Sequence, residues 1–137
     1  MLNMVFWDNP LVESAGYFSV VVLCIILTMV LFEIVTTYKN WEEIQKGNIA
    51  VAMATGGKIF GVANIFRYSI EKHNSLPEMI GWGIFGFVLL IVAYFLFEFL
   101  TPKFKIDKEI ENDNRSVGFI SLSISVGLSF VIGASIS

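Results

Sequence analysis

Apolar residues in this chain come in long blocks rather than in alternation. Residues 15–35 contain one charge, Glu33; residues 80–100 contain only Glu98; residues 117–136 contain none. Each block is about 20 residues long, enough to cross ~30 Å of hydrocarbon as a helix rising ~1.5 Å per residue. A fourth stretch, 48–70, carries Lys58, Asn64 and Arg67. It reads as a span because the chain repeats itself. Phe32-Glu33 and Thr36 recur as Phe97-Glu98 and Thr101 at an offset of 65. Past a one-residue insertion the match resumes at 66, where Glu43-Ile44 meets Glu109-Ile110, Asn48 meets Asn114, Gly61 meets Gly127 and Ser69-Ile70 meets Ser135-Ile136. Copies of one unit fold alike. The pattern predicts an all-α membrane protein with four transmembrane helices, built as two tandem, parallel helical-hairpin repeats. The expected organisation is an outer interfacial segment at 1–14, a first two-helix repeat at 15–70, an outer turn at 71–77 and a second repeat at 78–137.

Composition agrees: 55% of the residues are apolar and 15% charged, well below the charged share of soluble chains. No Lys or Arg precedes the first block, which is longer than a signal-peptide core, so that helix is expected to stay. The lone Cys24 excludes an intrachain disulfide and reads as a small packing residue. Lys39, Lys46, Lys103, Lys105, Lys108 and Arg115 fall on the side of the two inter-helix linkers, against Arg67 and Lys72 on the other. The positive-inside rule then puts the linkers in the cytoplasm and both termini outside, in a multi-pass protein of the inner, cytoplasmic membrane. Acids in the same linkers balance the bases, so no polybasic lipid-binding strip results. Trp41 is placed for an inner headgroup anchor; Tyr17, Tyr68 and Trp82 are placed for outer ones. Thr101-Pro102 is expected to end the third helix.

Intramembrane polar residues are the candidate functional set. Lys58 lies mid-helix, where a charge is costly and calls for an acid or a polar cavity; the other repeat has Ile124 there. Glu33 and Glu98 occupy matching positions about one turn inside the linker end. They read as acids accepting hydrogen bonds from the neighbouring helix N-terminus near Asn48 or Asn114, or else as proton or cation handlers. Metal ligation lacks accompanying His or Cys at ligand spacing. Ala50, Ala54, Gly57, Gly61 and Asn64 share one helix face, and Ser123 and Gly127 continue it in the second copy, with Ala134. Ser121, Ser125 and Ser129 mark another face of the last helix. Lipid has no use for small and polar residues on two faces, which predicts cover by protein in a homo-oligomer, or a water-lined passage. Gly81-Trp82-Gly83-Ile84-Phe85-Gly86 fits G-x-G-x-x-G but follows no strand, so no phosphate cradle is expected. Asn114-Arg115-Ser116 fits a glycosylation acceptor but falls on the expected cytoplasmic side. His73 reads as a solvated turn residue, and nothing points to nucleic-acid binding.

The run Gly47-Asn48-Ile49-Ala50-Val51-Ala52, then Gly56-Gly57 and Gly61, behind a helix closed by an acid and Thr, resembles the small bacterial YjfL-like membrane proteins (domain of unknown function 350, DUF350). The likeness covers essentially the whole chain, and is looser in the second copy, where Leu122-Ser123 replaces Gly56-Gly57. It implies a small integral inner-membrane protein linked to the cell envelope, with no assigned activity. The positions matching the family's motif are Glu33, Asn48, Gly57 and Gly61, with Glu98 and Asn114 in the second copy. Together these observations predict a non-enzymatic, oligomeric membrane module without catalytic residues, metal or cofactor. Its expected partners are the lipid bilayer, copies of itself and a cytoplasmic or membrane protein. The alternative is a small ion, proton or solute channel or transporter assembled between subunits, with Glu33, Glu98, Lys58 and Asn64 along its path.

Overall fold

A computed structural model describes residues 9–36, 38–73, 75–99 and 106–136, without the side chains of 35, 98 and 99. Four helices are long and apolar enough to cross a membrane: α1 (Pro10–Val35), α3 (Ile49–Lys72), α4 (Leu76–Phe99) and α6 (Arg115–Ile136). Two single-turn helices, α2 (Asn40–Gln45) and α5 (Ile106–Glu111), sit in the linkers. No strand occurs among the described residues. The helix α1 starts within the stretch expected to lie along the interface. Asn9 accepts the Leu11 N–H at 3.0 Å and Pro10 occupies the first turn, a helix start that needs no preceding structure. Residues 1–8, Thr101-Pro102, Lys103 and Lys105 lie outside the described residues.

The order of contacts along each helix gives the topology. Ala50 meets Gly118, Gly57 meets Leu122, Gly61 meets Ser125 and Tyr68 meets Gly133, so α3 and α6 run parallel. Phe66 meets Gly83, Ile65 meets Gly86 and Gly61 meets Leu90, so α4 runs against α3. Phe32 of α1 packs on Tyr94 and Phe95, and Gly16 meets Leu76, which makes α1 parallel to α4. Both linkers therefore lie at one end of the bundle. The other end holds the beginning of α1, the end of α6 and the turn after α3.

The least apolar span is the central one. In its most hydrophobic window 56% of α3 is buried, against 22% each for α1 and α4. Lipid tolerates only bulky apolar surface, so α1 shows it Phe18, Leu23, Ile26, Leu27, Val30 and Ile34. One side of α3, with Ala50, Ala54, Gly57, Lys58, Gly61 and Ser69, is kept against protein. There the contact is close to backbone on backbone. A Cβ at Gly57 would come within 2.7 Å of the Leu122 Cα, and one at Gly118 within 2.7 Å of the Ala50 Cα. Ala50, Ala54, Gly57 and Gly61 are thus consumed inside the chain.

Several expectations are corrected. Ser123 and Gly127 do not continue that packing face but point outward, and Gly127 has nothing near it. The face of α6 that meets α3 is Gly118, Ser121, Ser125, Ser129 and Gly133, on roughly the opposite side of the helix. Tyr17 is buried in the terminal-end core with Cys24, Phe66 and Met79 rather than anchoring at headgroups. His73 is not a solvated turn residue: it stacks on Trp82 and donates through Nε2 to the Ile136 carbonyl at 3.0 Å. Gly83 and Gly86 of the G-x-G-x-x-G string admit Phe66 and Ile65, so the string serves helix packing.

Replacing Gly57 with Ala should destabilise the bundle by about 1–3 kcal/mol, because a backbone neighbour cannot move aside. Gly81→Ala, with nothing within 4 Å of its Cβ position, should be neutral or slightly stabilising. Thermal unfolding of both in detergent checks the contrast; equal losses would contradict the close α3–α6 contact.

Candidate functional site

The linker end is built from two elbows with the same hydrogen bonds. In the first, Asn48 caps α3 by accepting the Val51 N–H at 3.0 Å, and its amide donates to Glu43 at 3.3 Å. In the second, Asn114 accepts the Val117 N–H at 3.4 Å and donates to Glu109 at 2.9 Å. The backbone N–H of each Asn donates to the carbonyl of its Glu at 2.9 Å. Each elbow turns through a residue of positive φ, Gly47 in one and Asp113 in the other. The elbows also lock together: Asn48 donates to the Glu111 carbonyl at 2.8 Å, and Asp113 accepts the Ala50 N–H at 3.0 Å.

Glu33 closes the turn out of α1. Its Oε2 accepts the backbone N–H of Asn40 at 3.1 Å and the Asn40 side-chain amide at 3.2 Å. The helix it caps is therefore α2, not the span beginning after Asn48. Thr36 joins in, accepting from the Asn40 amide at 3.0 Å and donating to the Phe32 carbonyl at 2.6 Å. Glu98 lies on α4, and its side chain is outside the described set. Asn64 sits elsewhere: it donates to Ser129 on α6 at 2.9 Å and accepts from Arg67 Nε at 3.2 Å. Among the described side chains, Glu33 and Lys58 line one small cavity, whereas Asn64 bonds to α6 elsewhere.

Lys58 is the centre of a different cluster. It is only 4% exposed. Helical side chains lean toward the helix N-terminus, which for α3 is the linker end. The amine lies 4.0 Å from the Phe32 ring centroid and 4.3 Å from that of Tyr94, sandwiched between α1 and α4. A cavity of about 10 Å³, lined by Thr28, Phe32, Glu33, Asn40, Trp41 and Lys58, opens beside it, the size of one water. Beyond lies Asp107 on α5, within electrostatic reach of Lys58. Lys58 Nζ, Asp107 Oδ1 and the hydroxyls of Tyr38 and Tyr94 are all buried without a hydrogen-bond partner among the described residues. Burial pushes the Asp107 carboxyl up; the Lys58 ammonium pulls it partly back, and Glu111 pushes it up again. The Tyr38 phenol is likewise raised, first by burial and then by the surrounding acids Asp107, Glu111, Glu33 and Glu43.

Sequence reasoning asked for an acid beside Lys58 and missed Asp107, Tyr38 and Tyr94. A signal existed. At the repeat offset of 66, Asp107 aligns with Trp41 and Lys58 with Ile124, so both members of the pair are charged where the other copy is not. Among the described residues no group of His, Cys, Asp and Glu is arranged to hold a metal.

Four apolar helices around a buried polar cluster define a multi-pass membrane protein. The chain belongs to the family described as Domain of Unknown Function (DUF350), which matches residues 6–136. It is 70% identical over 131 residues to the UPF0719 transmembrane protein YshE of Bacillus subtilis (strain 168), covering 96% of this chain and 98% of that protein. No solved structure matches.

The raised Asp107 carboxyl has a definite sign in stability. The folded state binds its proton more tightly than the unfolded state, so the stability contribution is largest below the unfolded value of about 3.9. It is lost as pH rises through the raised folded value. Asp107→Asn should flatten this part of the pH profile, and Lys58→Met should carry the loss to higher pH. Melting temperatures against pH, taken as differences from wild type, check both; a profile for Asp107→Asn parallel to wild type would contradict the assignment.

Proposed function

We propose that the protein is a non-enzymatic, homo-oligomeric module of the cytoplasmic membrane, with its linkers in the cytoplasm and both termini outside. Its two hairpins act as copies of one scaffold. The first copy supplies the distinguishing group, Lys58, and the second answers with Asp107. The observation that carries this reading is that the Asp107 carboxyl, on the linker helix α5, has a buried oxygen and lies within electrostatic reach of Lys58. Whatever moves α5, whether a protein partner or a proton, changes the surroundings of Lys58, and the converse holds by linkage. The basic residues Lys39, Lys46, Lys108 and Arg115 at the linker end support the orientation.

Proton conduction is the second reading, favoured by the same run of unpartnered polar atoms from Tyr38 and Asp107 to Lys58 and Tyr94. Against it, Glu33 is engaged in the α1–α2 turn and Asn64 is bonded to Ser129, so the run does not continue across the bundle. Purified protein in liposomes holding a pH-sensitive dye separates the two. The module reading expects proton leakage under a potassium diffusion potential to equal that of protein-free vesicles. Leakage above that level, abolished by Lys58→Met, would replace the module with a conductor.

A further inference from the structure

The second elbow is fastened to α3 unevenly along its length. Its far end is held three ways. Asn48 donates to the Glu111 carbonyl at 2.8 Å, and Asp113 accepts the Ala50 N–H at 3.0 Å. Ile110 is fully buried in one core with Tyr38, Val51 and Val117. The first turn of α5 is held differently. Ile106 and Asp107 are only half-buried, with Ile106 resting on the edge of the same core. What Asp107 brings to the contact is the carboxyl oxygen Oδ1, buried without a hydrogen-bond partner among the described residues. A charged oxygen in that position is costly, whereas a protonated carboxyl is neutral and can donate a hydrogen bond. The contact therefore differs in strength between the two protonation states of one side chain.

The groups facing that carboxyl come from every element around it. Lys58 on α3 is within electrostatic reach and favours the ionised form, while Glu111 on α5 opposes it. Tyr94 on α4 and Tyr38, between α1 and α2, bring buried hydroxyls that lack partners among the described residues. Glu33 on α1 and Glu43 on α2 act on Tyr38 from behind. The one titratable side chain of α6, Arg115, is paired with Asp113 at 3.7 Å. The Lys58 amine lies between the rings of Phe32 and Tyr94 and makes no hydrogen bond to the carboxyl. Burial of Asp107 therefore outweighs the pull of its one base.

We infer that the first turn of α5 is a latch worked by one proton: with it, Asp107 seats beside Tyr38, Tyr94 and Lys58, and without it the turn lifts about the fastened residues 110–113. This names the regulation of the module proposed above and rests on reading α5 as its movable link to Lys58. Local opening of this kind needs a weakly held segment next to a strongly held one, which is the arrangement of the elbow. Lifting takes away from Lys58 an acid within its electrostatic reach. Acidity on the linker side closes the latch, and rising pH releases it.

Amide hydrogen exchange of the full chain in lipid nanodiscs tests it, read as protection factors over a pH series so that the intrinsic pH dependence of exchange cancels. In wild type, protection of the Ile110 and Glu111 amides, which bond back to the first turn of α5, should fall as pH rises above about 3.9. The fall should not exceed ~tenfold per pH unit, the limit for one proton. Asp107→Asn keeps a neutral donor in place, so its α5 protection should stay level, while the α3 amides around Gly57 stay level in both. Lys58→Met removes the base and should move the fall to higher pH; this series and the wild-type one decide the matter even where the Asn variant does not fold. Level wild-type protection would overturn the latch, as would wild-type and Asn profiles falling in parallel. Loss at α3 in step with α5 would also overturn it, since the bundle would then be loosening as a whole. Liposome flux together with the expected exchange pattern would sink the module and leave the latch; level exchange without flux would do the reverse.

Discussion

The fold depends on two helices that approach until their backbones touch. Lipid is as apolar as leucine, so a bundle in a membrane gains little by hiding apolar side chains from it. What it gains is dispersion contact, which falls off steeply with separation. The missing side chains of Gly57 and Gly118 allow that separation to close at the centre and linker end of the α3–α6 pair. Once these helices lie parallel and in contact, the rest follows. The partners α1 and α4 must run the other way to connect them, both linkers fall at one end, and the two elbows come close enough to cap each other through Asn48 and Asp113.

The same contact explains why an expensive residue survives. Because the Lys58 side of α3 is covered by its neighbouring helices, Lys58 can be mid-membrane in sequence and still avoid hydrocarbon. Its stem runs toward the linker end, and its amine is held between the faces of Phe32 and Tyr94. Aromatic faces attract a cation without neutralising it, and a buried ion lacking hydrogen bonds remains a cost to stability. Asp107 offsets part of that cost from outside the membrane-spanning segments, and its own carboxyl is raised by its burial. Packing alone would have been better served by leucine. The pair sets a linker-helix carboxyl within electrostatic reach of an amine in the membrane-spanning bundle.

Much of this architecture was legible in the sequence. The spans were, because ~20 apolar residues have few other uses. The likeness of the two elbows was, since Glu43 and Asn48 recur as Glu109 and Asn114, but their bonding was not, because the helix N-terminus was assigned to Glu33 and Glu98. The small residues of α3 announced a close contact. Which helix would meet them was not announced, since Ser121-x-x-x-Ser125-x-x-x-Ser129 and Ser123-x-x-x-Gly127 are equally small stripes on one helix. Periodicity marks a face; only packing selects between faces. The Lys58 cluster was half legible for a similar reason. Burial cost demanded a partner, but Asp107 is far away in sequence and reaches Lys58 only because the second elbow is clamped onto the start of α3.

Divergence between the copies then acquires a physical meaning. Where the hairpins must do the same thing, at the elbows, their chemistry is kept. Where they differ, as at Lys58 against Ile124 and Asp107 against Trp41, the two charges belong to different copies yet meet in one cluster. A single hairpin acting alone could not contain that pair, because the base sits in the first two-helix unit and the acid in the second.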